Sequence, residues 1–275
     1  MKDGRKFDPR GIKHIKVTGG LPISEAIHNH PDLLPYLRTR DPPRIDNESR
    51  DALLLYNKYI ALDSYGLDII FESDVAIVPT PVMRYNFLSH LLPASKKPHI
   101  MEIGTGASAI IALLAAKHFG ARVWATEVNP EYIQLARKNV ERNGFSDRIE
   151  IIDSRGKMIE GVIDPNMQFD FIISNPPYYD EVRSAKILWG GTPGELVGGE
   201  AGERFVLQMI QEGWSHLKSS GVMSFIIPKT RDETLVKIED YLTEAQYEYD
   251  IIGLLAGNRT RYVFRIFKDR SEIHG

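Results

Sequence analysis

Asn175-Pro176-Pro177-Tyr178 is the stretch of this chain whose residue types most directly suggest chemistry. An asparagine offers an amide oxygen as acceptor, neither proline carries an N–H to compete for it, and an aromatic ring follows at once. The second proline holds Pro176 extended, so the backbone carbonyl beside it has few directions open to it. A planar group bearing an –NH2 suits such a set. The Asn175 oxygen and the carbonyl near Pro176 each accept one amine hydrogen, while Tyr178 stacks on the ring that carries the amine. The plain alternative is that Pro-Pro ends a strand and Tyr178 packs inward. Four residues do not choose between these; the rest of the chain must.

Upstream, Glu102-Ile103-Gly104-Thr105-Gly106-Ala107-Ser108 follows an apolar run and precedes a helical pattern. Glycines at such a place let a ligand approach the backbone where a strand turns into a helix. Glu127 ends the next strand, where a carboxylate accepts hydrogen bonds from two ribose hydroxyls. Gly104, Gly106 and Ala109 also satisfy a G-x-G-x-x-A dinucleotide fingerprint. Three features favour S-adenosylmethionine over NAD: Glu102 ahead of the turn, a long extension before the first nucleotide-type strand, and N-P-P-Y after the fourth strand.

The elements that must hold these residues alternate. Strands are expected over 99–103, 121–126, 148–152, 169–174, 222–227, 249–254 and 261–267, with helices over 107–119, 130–143, 202–218 and 232–245 between them. That order implies an α/β fold with a mainly parallel seven-stranded sheet, closed at one edge by an antiparallel hairpin of the last two strands. Ligands of such sheets lie beyond the carboxyl ends of the strands, so Gly104, Glu127, Asp153 and Asn175 are expected to converge. Residues 180–200, rich in glycine, read as a long loop. Before the sheet, helices are expected over 47–62 and 82–92, with a short strand over 67–71 and an apolar run over 75–78 leading into Pro79-Thr80-Pro81. Residues 1–46 carry prolines at 9, 22, 31, 35, 42 and 43 and read as irregular apart from one short helix over 24–29. The division expected is a basic N-terminal arm (1–46), a helical part packed on the core (47–97) and the main domain (98–275).

Composition narrows the class. The chain has no cysteine, which excludes disulfides and thiolate sites, and its eight histidines show no ligand spacing, so no metal is expected. No apolar run reaches the roughly 18 residues that span a bilayer, and the N-terminus does not read as a signal peptide, so a cytoplasmic location and no membrane partner are expected. The net charge of −3 hides an uneven distribution. Basic residues crowd the first 44 positions, and Arg259, Arg261 and Arg265 cluster around Tyr262. Either group is a phosphate-holding surface or ordinary solvated surface.

From Gly104 to Tyr178 the chain resembles the Rossmann-like class I methyltransferases that carry [ND]-P-P-[YFW] and methylate amino nitrogens. Ile77-Val78-Pro79-Thr80-Pro81-Val82-Met83-Arg84-Tyr85-Asn86-Phe87, Ala125-Thr126-Glu127-Val128 and His30-Pro31-Asp32-Leu33-Leu34-Pro35-Tyr36-Leu37 narrow the match. With them the chain resembles, over about residues 30–267, the large-subunit ribosomal RNA adenine-N6 methyltransferase family, the RlmF-like group, which includes methyltransferase-like protein 16. The resemblance implies that Gly104, Gly106, Ser108 and Glu127 bind S-adenosylmethionine, that Arg84 reaches its carboxylate end, and that Asn175, Pro176, Pro177 and Tyr178 form the catalytic set. A salt bridge beneath the sheet is the other reading of Arg84. At two places the chain departs from the family. The acidic-glycine segment after the loop is looser in Gly198-Gly199-Glu200-Ala201-Gly202-Glu203, and a polar donor contact falls on Met158, with Asp153 as the physical alternative. A structured RNA, ribosomal or a small-RNA hairpin, is the implied partner, contacted by Lys6, Arg10, Lys13, Arg38, Arg40, Lys229, Arg259 and Arg261. A monomer or weak oligomer is expected. The rival functions are a methyltransferase for guanine N2 or protein glutamine, and a catalytically silent RNA-binding module.

Overall fold

Apolar runs rich in β-branched and aromatic residues form the middle of one sheet, because only there are both faces of a strand covered. The computed structural model describes residues 6–71, 76–93, 97–177 and 203–271. In chain order the N-terminal third holds β1 (Lys13–Lys16), α1 (Ile23–Asn29), β2 (Leu37–Arg40), β3 (Pro43–Ile45), α2 (Arg50–Tyr59) and α3 (Pro81–Ser89). Then follow β4 (His99–Ile103), α4 (Ile110–Phe119), β5 (Arg122–Glu127), α5 (Pro130–Arg142), β6 (Ile149–Asp153) and β7 (Phe169–Ser174). The chain continues with α6 (Arg204–Gly213), β8 (Leu217–Pro228), α7 (Asp232–Glu244), β9 (Glu248–Ala256) and β10 (Arg259–Phe267). Tyr178, Tyr179 and the loop expected over 180–200 lie outside the described residues.

Among the described residues the main sheet has eight strands in the order β1-β9-β10-β8-β7-β4-β5-β6, and β2 pairs with β3 in a separate hairpin. Every pairing in the main sheet is parallel except the two made by β10. Residues of α4, α5 and the N-terminal third bury one face in a single apolar cluster, and residues of α6 and α7 bury the other. The doubly wound, Rossmann-like class therefore holds. No helix among the described residues is long and apolar enough to cross a membrane.

Three local expectations are corrected. The reversed strand closes no edge: β10 lies between β8 and β9, because the short turn after Ala256 sends it back alongside β9 while its other side remains free for β8. The edge belongs to β1, inside the stretch that reads as irregular. Lys-His-Ile-Lys has too little apolar alternation to signal a strand, yet β1 lies parallel on β9 with His14 opposite Gly253. A Cβ on Gly253 would stand 2.5 Å from the His14 ring, so the missing side chain is what lets the imidazole rest there and meet Tyr262 edge-on at 6.1 Å. Finally, residues 67–71 form no strand. Their backbone finds partners in two asparagine side chains of a helix end instead of a neighbouring strand: Asn139 and Asn143.

Candidate active site

The strand order reverses between β4 and β7, since β5 and β6 run outward on one side and β8 on the other. Such a switch point leaves a crevice beyond the carboxyl ends of the two strands. Ile103 and Ser174 are opposite one another in register, and the Ser174 hydroxyl donates to the Ile103 carbonyl at 2.8 Å. Gly104 and Asn175 therefore leave the sheet side by side. On the other flank Ile103 faces Thr126, which brings Glu127 next to the same turn.

The glycine turn is built on that flank. The N–H groups of Gly104 and Thr105 both donate to the Thr126 carbonyl, at 3.0 and 2.9 Å. Gly104 and Gly106 have φ of +73° and +68°, the left-handed region that a side chain resists. A Cβ on either would meet nothing within 4 Å, so the space in front of the turn is open to a ligand. Glu127 is buried and points into this turn. One carboxylate oxygen accepts from the Gly106 N–H at 2.9 Å, and the other accepts from the N–H groups of Val128 and Asn129 at 2.8 and 3.0 Å. Below it, Glu102 is wholly buried and accepts from the Thr105 hydroxyl at 2.9 Å. Burial pushes the Glu102 carboxyl up to about 7, against the opposing pull of its Thr105 and Ala112 hydrogen bonds and of the Arg84 charge.

A cavity of about 760 Å³ opens over this junction, within the size range of small-molecule sites. Of the residues singled out from sequence, Arg84, Gly104, Gly106 and Ser108 line it, as do Glu127, Met158, Asn175 and Pro177. Pro176 is buried beside them and does not line it. Tyr178 lies outside the described residues. Of the Asp153 and Met158 pair, only Met158 lines the cavity. Asp153 is exposed and accepts from the Arg155 N–H at 2.8 Å. Thr80, Ser154, Lys157, Phe205 and Gln208 also line the cavity and were not legible as site residues. The last two lie on a helix whose distance from the glycine turn along the chain exceeds any local pattern.

The basic residues fall into two groups. Lys229 follows β8, its N–H donates to the Thr260 carbonyl at 3.0 Å, and Arg261 stands opposite Pro228. Since β8 runs parallel to β7 with Phe225 opposite Ser174, Lys229, Arg259 and Arg261 lie at the same end of the sheet as Asn175. Arg265 of the same cluster is held by Asp250 at 2.6 and 2.8 Å, and so braces β9 to β10. In the N-terminal stretch Arg10 is paired with Asp8 and Arg38 with Glu48, both in exposed positions. Lys6, Lys13 and Arg40 are exposed.

The sequence is 36% identical over 261 residues to a protein of Methanocaldococcus jannaschii named provisionally as a methyltransferase, covering 90% of this chain and 99% of that one. It is 29% identical over 163 residues to the release factor glutamine methyltransferase of Koribacter versatilis, covering 57% of this chain and 56% of that one. Ribosomal RNA large subunit methyltransferase F of Bacteroides fragilis is 29% identical over 199 residues, 63% of this chain and 64% of its own. Among solved structures, the human Mettl16 catalytic domain in complex with MAT2A 3′UTR hairpin 1 shares the fold, with a TM-score of 0.76 at 21% identity over 89% of this chain and 90% of that one. The pattern of one family, described as RNA methyltransferase, matches residues 24–243. With its crevice at the switch point between a glycine turn and an Asn-Pro-Pro exit, and with that match over most of its length, the chain belongs to the RNA methyltransferase family.

Proposed function

We propose that this chain transfers a methyl group from S-adenosylmethionine to the exocyclic N6 amine of an adenosine in structured RNA, and that the RNA is that of the large ribosomal subunit, in the cytoplasm. One juxtaposition supports this reading above the rest: Gly104 and Asn175 emerge from register partners into one cavity that also takes in Glu127. The residues present suit the donor. Glu127 offers a buried carboxylate to a ribose, the bare glycines leave room for a nucleoside against the backbone, and Arg84 at the entrance of α3 suits a carboxylate. Bound there, S-adenosylmethionine supplies an electrophilic methyl group on a sulfonium. Met158, which also lines the cavity, offers an apolar surface to the donor's base.

The chain's own work lies on the other side. The lone pair of an adenine amine is delocalised into the ring, which makes it a poor nucleophile. Asn175 Oδ1 and the Pro176 carbonyl accept the two amine hydrogens, which favours a pyramidal nitrogen and frees the lone pair along the line of attack. The base leaves its stack to enter, with Tyr178 as its stacking partner. Lys229, Arg259 and Arg261, at the same end of the sheet, suit the flanking phosphates, as do Lys6, Arg10, Lys13, Arg38 and Arg40 of the N-terminal stretch. The test is mass spectrometry of nucleosides from ribosomal RNA, and from small-RNA hairpins, incubated with the protein and isotopically labelled donor. Labelled N6-methyladenosine from the large-subunit RNA is the expected product. Label in N2-methylguanosine, or only in protein glutamine when a release factor is supplied, would replace the reading. The match to release factor glutamine methyltransferases makes that last arm necessary.

A further inference from the structure

Behind the glycine turn, α5 presents one stripe of buried side chains: Tyr132, Leu135 and Asn139, with Asn143 one turn further on, at spacings of three and four residues. Tyr132 and Leu135 pack with Ala76, Ala107 and Phe71 into a small cluster of their own. Asn139 continues the stripe but is polar and wholly buried, so each of its hydrogen-bonding groups needs a partner. It finds them on two separate segments. Its Oδ1 accepts from the Ile70 N–H at 2.7 Å, and its Nδ2 donates to the Ile70 carbonyl at 2.9 Å and to the Ala107 carbonyl at 3.3 Å. Asn143 does only half of this: it accepts from the Asp68 N–H and donates to the Asp68 carbonyl, both at 2.9 Å, and to the Asn139 carbonyl in its own helix at 2.8 Å.

Each of the two segments that Asn139 joins adjoins residues that line the cavity. Ala107 belongs to the glycine turn. Phe71, next to Ile70, packs against the cluster that holds Ala76, and Ile77, Val78, Pro79 and Thr80 beyond it line the cavity ahead of Arg84. We infer that Asn139 is a positioning residue for the methyl donor, fixing the spacing between the glycine turn and the 77–80 wall without touching the donor itself. A hydrophobic residue would fill the same place in the stripe, but it would leave the Ile70 amide and carbonyl without partners and the two segments free to separate. This inference rests on the donor occupying that cavity.

Calorimetric titration of S-adenosylmethionine into wild type, Asn139→Ala and Asn143→Ala, beside urea denaturation of all three, separates the possibilities. Both variants are expected to lose stability, but only Asn139→Ala should weaken donor binding, by about tenfold, the size of one net buried hydrogen bond. Asn143→Ala should stay within about twofold of wild type, the margin within which independent sites add. In turnover, Asn139→Ala should raise the KM for donor while leaving kcat at saturating donor and the KM for RNA unchanged, a split that a general loss of stability does not produce. Should Asn139→Ala fail to fold, amide exchange on wild type serves instead: donor should slow exchange at Ile70, held by Asn139, and leave Asp68, held by Asn143, as it was. Equal donor affinity in the two variants, or equal response of the two amides, overturns the inference. Failure of wild type to bind the donor at all would instead overturn the reading of the cavity.

Discussion

At Asn175 a half-buried amide lines the cavity beside a proline-fixed carbonyl, and in the proposed function its contribution belongs to the reacting amine and not to RNA affinity. Asn175→Ala is expected to slow methyl transfer by ~100-fold or more, the usual cost of removing one preorganised polar group at a reacting centre. Single-turnover kinetics at saturating donor read this directly, and near-normal turnover would reduce the motif to a strand terminator. Glu102 makes a prediction of a different kind. Its carboxyl holds its proton to about pH 7 in the folded chain, whereas an unperturbed glutamate releases it near 4.5. Between those values the unfolded chain binds fewer protons than the folded one, so this group's stabilising contribution is complete below pH 4.5 and is lost as pH rises to 7. The shift corresponds to roughly 3 kcal/mol. Glu102→Gln keeps an oxygen for the Thr105 hydroxyl and removes the titration. Urea denaturation at pH 5 and pH 7.5 should then show a steeper decline for wild type than for the variant, and equal declines would contradict the burial argument.

Among the elements, β1 has consequences beyond its four residues. Four residues pair with β9, and the Val17 N–H extends the ladder to the Leu255 carbonyl at 2.8 Å. Deleting residues 1–17 would also take away Phe7, which is buried, stands 4.9 Å from the Tyr262 ring and donates its N–H to Asp232. The deletion is expected to cost several kcal/mol: burying one phenylalanine alone contributes about 1.5–3 kcal/mol. It also turns β9, with Ile252 and Leu254 in its buried register, into an open edge. Denaturation should therefore show lowered stability, and light scattering should show association of the shortened chain. A truncated protein as stable and as monodisperse as the full chain would mean that β1 adds nothing to the sheet. Deleting the whole basic stretch would cost more still, since Leu21, Ala26 and Leu33 belong to the apolar cluster beneath the sheet.

For the molecule as a whole, a net charge of −3 says little about RNA; the sheet's end that carries Asn175, Lys229 and Arg261 says more. Replacing Lys229 and Arg261 together by alanine should weaken RNA binding and flatten the slope of log affinity against log salt by about 0.7–0.9 for each phosphate no longer neutralised. Filter binding over a salt series would measure it, and an unchanged slope would return both residues to ordinary surface. Donor affinity should not move. What the sequence determined by itself was local in kind. The alternation of strand and helix, the glycine turn at Gly104 and the Asn-Pro-Pro exit are patterns of a few residues each, and backbone preference alone makes them readable. The folded chain decided how distant patterns meet. The hydroxyl of Ser174 reaches Ile103 across 71 positions, and Asn139 reaches Ile70 across 69. Whether residues 67–71 become a strand or a strap depends on which partner satisfies their amides, and no propensity within the segment carries that information. The same holds for β1, whose four residues lie at the edge because Gly253 leaves room for His14. Room of that shape exists only once β9 and β10 have formed, so it cannot be read from Lys-His-Ile-Lys.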